Sequence, residues 1–447
     1  MVSHKQLILL FLLLPFSPLK ISAQGKKPVD VSTYYPVRKT VEQLSLVMLH
    51  DVVNPPAAAR YYAYASLGAY QIVAANNRKI PPANTFLHAP GNLSVDTPSA
   101  PYSYQIAALY SILESGKLLL PSGYKLQDVE AEYLAILKKR KVPEAIIKSS
   151  VDVAEKMSAK ILAYSKTDRY NRLSALVRYT PKRQDSTWYP TPPAYIEAVE
   201  PHWNTVRPVM IDSCNQFRPP LLVPFSRDST SAFYKLVKEV YDIGQNLTAE
   251  QSNMAMFWDC NPFAVSTSGH MSIGLKKISP GGHWMSIASI ASEKANATFD
   301  QHIVAITGVG LAIMDAFISS WDEKYRSNRI RPETYINRYM NIRWQPLLQT
   351  PPFPEYTSGH AVISNASAEV LTYLFGDKFA FDDDSERFFD LPTRSFTSFR
   401  QAATEASFSR VYGGIHYWDS ALEGNKQGAA VGDFIVERLK KAGWKPF

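Results

Sequence analysis

A chain of 447 residues with 46% apolar and 20% charged side chains has the composition of a folded globular protein, which excludes a fibrous or wholly disordered one. Its formal charge of +8 is spread along the chain, apart from the run Lys138, Lys139, Arg140 and Lys141. That pattern reads as a solvated surface able to attract a small anion, with no nucleic-acid partner expected. Cys214 and Cys260 are the only cysteines, too few for a disulfide framework or a metal cluster by themselves.

The chain starts with Lys5, the apolar run Leu7 to Phe16 and small residues around Ser22 and Ala23. This is the layout of a signal peptide over residues 1–24, with an apolar core shorter than the ~20 residues of a spanning helix. Cleavage would lower the charge from +8 to +6 by removing Lys5 and Lys20. The expectation is an exported protein, periplasmic or secreted, with no later stretch apolar enough to span a bilayer. A Cys214–Cys260 bridge and two free thiols are both open in that setting.

Apolar residues recur at helical spacing from Thr40 to Ala75, with a break at Asn54, Pro55 and Pro56 that divides two helices. Residues 76–99 read as loop, and helical patterns resume over Tyr102–Leu120, Lys125–Arg140 and Pro143–Ser165. Residues 166–228 have prolines and aromatics but little helical period. They read as an extended strap over the surface, or a domain connection, with Trp188, Tyr189, Trp203 and Phe217 packing it down.

Helices are then expected at Ser229–Gln245 and after Thr248, which with Gln251 makes a capping box. Further helices are expected at Gly282–Ala297, Phe299–Asn328, Glu333–Gln345, Ser358–Phe375, Phe396–Gly413 and Trp418–Ala442. The fold class is all-α, built as helical bundles. An amino-terminal helical region with the strap (25–228) would precede a helical core (229–447). The apolar helix faces allow two bundles in one chain or an oligomer.

Three segments of the core carry the chemistry: KYRSNRIRP, PPFPEYTSGH and SRVYGGIHY. Lys324 and Arg331 lie seven apart, close to two helical turns, and Pro332 keeps Arg331 out of helix. Ser358, Gly359 and His360 open a helix after three prolines, where free amides, a hydroxyl and a glycine make an anion site. The positive helix end lowers the His360 pKa. Arg410 and His416 are separated by Gly413 and Gly414, which let both turn to one point. Each segment alone has a plain structural reading; together they describe a cage for a tetrahedral or five-coordinate oxyanion.

This set resembles the type 2 phosphatidic acid phosphatase and vanadium haloperoxidase superfamily. Trp321 three before the lysine, Phe353 seven before His360, GGIHY after the SR pair, and Glu250, Gln251, Phe257 and Trp258 upstream place the resemblance in the haloperoxidase branch. EPHW at Glu200, FRPP at Phe217 and GGHW ending at Trp284 add to it, over about residues 200–440. The resemblance implies helical bundles and a vanadate cofactor with His416 as its axial vanadium ligand. Lys324, Arg331 and Arg410 would neutralise the equatorial oxygens, with the Ser358 hydroxyl and the Gly359 amide. His360 would be the acid/base partner. Trp321 and Phe353 would wall the halide pocket, and Phe353, where bromoperoxidases tend to have a second histidine, leans towards a chloroperoxidase-like pocket. Asp259, Asn261 or Glu405 would support Arg410, and His283 has a supporting or structural part. The activity implied is oxidation of halide by hydrogen peroxide. The alternative is a metal-free phosphatase that forms a phosphohistidine at His416 from a phosphate ester, since one cage suits both anions.

Overall fold

The computed structural model describes residues 34–268 and 270–447, so the leader expected over residues 1–24 lies outside the described residues. The first helices are α1 (Val37–His50) and α2 (Pro55–Asn76), broken as expected at Asn54. There the Asn54 side chain accepts the Ala57 N–H at 2.9 Å and two prolines follow, which forces a helix start. Helices α3 (Tyr104–Leu119), α4 (Leu126–Lys139) and α5 (Glu144–Ser165) pack beside them.

Beyond the strap come α6 (Ala232–Gln245), α7 (Ala249–Phe257), α8 (Pro280–Lys294), α9 (Phe299–Ser327), α10 (Pro332–Tyr339), α11 (Gly359–Phe375), α12 (Phe399–Tyr412) and α13 (Trp418–Ala442). Among the described residues, strands occur only as two short antiparallel hairpins, β1 (Val265–Ser268) with β2 (Met271–Gly274) and β3 (Phe381–Asp383) with β4 (Arg394–Phe396). Phe396 therefore belongs to a strand, and α12 starts at Phe399 because Ser398 accepts the Gln401 N–H. Helix α10 is shorter than the pattern suggested. The Asn337 side chain donates forward to the carbonyls of Asn341 and Trp344, which competes with continued helix.

Helix α9 is the axis of the molecule. A capping box of Thr298 and Gln301 opens it, and Asn328 at φ 50° closes it in the left-handed region. Its apolar run is long enough to cross a membrane by composition, contrary to the expectation for the sequence beyond the leader, yet that run is wholly buried by protein. One continuous apolar core joins residues from Tyr35 to Trp444 around it.

The strap is fastened by backbone bonds. Buried Asp315 of α9 accepts the N–H groups of Val209, Met210 and Ile211 at 2.7–2.8 Å, and Val199 O accepts from Trp321 Nε1 and Tyr325 Oη. These bonds answer the polar backbone of a segment without its own ladder.

Helices α11 and α13 approach closely because Gly424, Gly428 and Gly432 fall on one face of α13. A Cβ on Gly428 would overlap the Val362 carbonyl, which cannot swing aside. Gly428→Ala is thus expected to cost about 1–3 kcal/mol, seen as a lower urea midpoint with unchanged slope.

Candidate active site

Three segments converge at the end of α9. The last turns of α9 present Trp321 and Lys324, and the extended exit presents Arg329 and Arg331, the latter at φ −79°, ψ 152° just before Pro332. The prolines at 351, 352 and 354 keep the next segment irregular until Ser358 starts α11. At the end of α12, Gly414 at φ 77° lies against Pro346 and turns the chain so that the Ile415 N–H reaches Arg410 O. His416 follows on the same side as Arg410.

The His416 ring is 2% exposed and its two nitrogens face different partners. Nδ1 lies 2.8 Å from Glu355 Oε1, which also accepts the Tyr417 N–H at 3.1 Å. A carboxylate between a backbone N–H and the Arg329 guanidinium, 3.0 Å from Oε2, can only accept, so the proton is on Nδ1. Nε2 therefore keeps its lone pair on the cage side, where it accepts from Arg331 Nη1 at 3.1 Å. Burial, then Arg331, Lys324 and Arg410, hold the His416 pKa well below the usual imidazole value, so the ring is neutral.

The cations are buried with few counter-charges. Lys324 Nζ donates to the carbonyls of Pro354, Glu355 and Thr357 at 3.2, 3.2 and 2.5 Å. Burial, then Arg331, pushes its pKa down. Arg331 donates to Phe353 O and Ile415 O, and burial takes its pKa down to about 10, so it stays charged at neutral pH. Arg410 donates to Trp258 O at 2.8 Å, with Asp259 3.7 Å from its Nη2. Burial also lowers the Arg410 pKa.

What remains unsatisfied defines the site. Arg331 Nη2, Ser358 Oγ, His360 Nε2, and Arg410 Nε and Nη2 are buried without hydrogen-bond partners. Ser358 is the N-cap residue of α11, yet its hydroxyl makes no cap bond. Leaving one such group unpaired costs about 1–3 kcal/mol, more for charged groups, so these unpaired groups in one region, most of them donors, suit a ligand rich in acceptor oxygens. His360 has its pKa lowered, mainly by burial and then by Arg410 and His416, so it is held neutral.

The cavity is closed on its apolar side by Trp321 and Phe353, whose ring centroids are 4.9 Å apart, together with Phe317 and Phe263. Gly359, His360, Arg410 and His416 form its polar side. Lys324 and Arg331 lie over the Phe353 ring at 5.2 and 5.1 Å, so the aromatic wall faces positive charge. All nine residues singled out in the sequence belong to this one region.

Sequence reasoning missed Glu355, Arg329 and Asp419. Glu355 stands inside the PPFPEYTSGH stretch, and a lone acid between prolines and an anion site was its available signal. Arg329 is buried, with two bonds to Asp419. Of the acids considered for Arg410, Asp259 is the one beside it, whereas Glu405 is taken by Arg394 and Trp258 Nε1. The cysteines are both free: Cys214 lies by Asp322, Cys260 by His283.

Residues 304–443 match the family described as the VCPO second helical-bundle domain. A bacterial vanadium-dependent iodoperoxidase crystal structure is 40% identical, covering 90% of this chain and 95% of its own, with a TM-score of 0.80. Holo-type and apo-type structures of a bacterial vanadium-dependent chloroperoxidase are 15% and 14% identical, each with a TM-score of 0.63. Both cover 88% of this chain, and 94% and 96% of their own. No curated protein sequence matches.

Proposed function

This chain belongs to the vanadium-dependent haloperoxidase family, and from that premise we propose that it oxidises iodide with hydrogen peroxide, using vanadate held at His416. The unpartnered donors on Arg331 Nη2, Ser358 and Arg410 around the unprotonated Nε2 of His416, which Arg331 Nη1 approaches at 3.1 Å, carry this reading. They offer oxygens of a tetrahedral anion their hydrogen bonds and its metal one lone pair. Lys324 would add charge, and the Gly359 amide a donor.

Bound there, vanadate supplies a Lewis-acid centre that activates peroxide toward a nucleophilic halide. The reaction balances as iodide, peroxide and one proton giving hypoiodous acid and water: the peroxide O–O bond breaks, an I–O bond forms, and iodide loses two electrons. His360, neutral and next to the cage, accepts a proton from incoming peroxide and returns one to the leaving oxygen. Trp321 and Phe353 wall the halide approach and exclude water. Iodide is chosen from the likeness to the iodoperoxidase, while likeness to the chloroperoxidases extends to the fold. The Lys5 to Phe16 pattern supports an exported enzyme.

The test is a halide panel on orthovanadate-loaded protein, with phosphate-ester hydrolysis measured beside it without vanadate. Peroxide-dependent turnover of iodide above bromide and chloride is expected. Fast ester hydrolysis with no halide oxidation would overturn the proposal. In His360→Ala, vanadate affinity is expected to change little while kcat falls about 10²-fold or more, and loss of binding instead would show that His360 holds the anion.

A further inference from the structure

A second cluster of ligating side chains lies behind Arg410. Trp258, whose carbonyl accepts from Arg410, stacks its ring on His283 with centroids 4.4 Å apart. His283 sits in the first turn of α8, Cys260 in the loop after α7, and Glu386 in the turn after β3, each at most 3% exposed. The His283 Nε2 lies 2.7 Å from Asp383 Oδ2, so Nδ1 is free to face the other two: Cys260 Sγ at 3.4 Å and Glu386 Oε1 at 3.1 Å. The three ligand atoms all lie within 4.8 Å of one another, and Glu386 Oε1 has no hydrogen-bond partner.

We propose that Cys260, His283 and Glu386 bind a zinc-class divalent ion, separate from the oxyanion cage. In a tetrahedral zinc site, bonds of about 2.3 Å to sulfur and about 2.0–2.1 Å to nitrogen and oxygen place S···N near ~3.5 Å and N···O near ~3.3 Å. The distances here, 3.4 and 3.1 Å, are already close to those values. An Asp383 carboxylate behind the ligating imidazole is the usual outer partner of such a site, fixing which nitrogen faces the metal. A thiolate with an imidazole selects zinc over magnesium or calcium.

Cys260 lines the active-site cavity as well, which gives the ion a way in and room for a fourth ligand such as water. Three separate elements meet here, so the ion ties the Trp258 to Cys260 turn, and with it the Arg410 acceptor, to α8 and the β3 hairpin.

The test uses the full-length protein, dialysed against zinc or cobalt(II) and then against buffer. One zinc per chain is expected, and with cobalt a thiolate-to-metal charge-transfer band. Cys260→Ser should lose the band, and Asp383→Asn should bind zinc about 10–100-fold more weakly. His416→Ala should bind as the natural chain does, since the oxyanion cage plays no part. Absence of the band in the natural chain at saturating cobalt overturns the proposal whatever the variants do, and so does full zinc binding by Cys260→Ser.

Discussion

His416→Ala is expected to abolish vanadate retention and peroxide-dependent iodide oxidation while leaving the fold intact. Nε2 carries a lone pair on the cage side, held there by the Glu355 carboxylate on the opposite ring atom. Removing it would take away the proposed bond to vanadium, a larger loss than the roughly 10–100-fold that follows removal of a residue behind a ligand. The fold survives because Glu355 keeps the Tyr417 N–H and the Arg329 guanidinium. Equilibrium dialysis with orthovanadate, iodide turnover and circular dichroism together check this. Retained vanadate with lost turnover would move the ligand role elsewhere.

The same variant reports the His416 charge. The folded chain holds this ring neutral, with its pKa below that of the unfolded chain, so its contribution to stability is present above about pH 6.5 and is lost as pH falls from there. Vanadate-free natural protein should therefore lose more stability below about pH 6.5 than His416→Ala does, measured by urea midpoints.

Glu355→Gln is expected to weaken vanadate binding about 10–100-fold. The amide has nearly the same shape but can donate to Nδ1, which would move the imidazole proton to Nε2 and block the lone pair. It also removes the charge opposite Arg329, although Asp419 retains that guanidinium through two bonds. The stability cost should be below the ~3–5 kcal/mol of a buried charge left wholly unpaired. Glu355→Asp keeps the charge and should restore part of the affinity. A Gln variant with unchanged vanadate affinity would mean that Glu355 serves the fold alone.

The residues of the candidate site were legible in the sequence as a group because they are concentrated in three short stretches with strong local constraints. Pro332, the prolines before Ser358 and the Gly413–Gly414 pair each force the local turn that aims a cation or an imidazole. Helices with a clear cap, such as that after Thr248, also lay where expected. Tertiary effects were less visible. Glu355 becomes a partner of His416 only when segments 61 apart meet. Helix α10 stops early because Asn337 bonds forward, and the Phe299–Ser327 run reads as membrane-like until the surrounding helices bury it. The pairing of Arg410 with Asp259 rather than Glu405 depended on Arg394, distant in sequence from Asp259, taking Glu405.

The central claim is that one neutral histidine and a ring of unpaired donors hold vanadate. A crystal structure of the protein soaked in orthovanadate tests it most directly. Vanadium bonded to His416 Nε2, with its oxygens on Arg331, Ser358 and Arg410, is the predicted result; vanadium bonded elsewhere, or an oxyanion resting in the cage with no bond to His416, would contradict it.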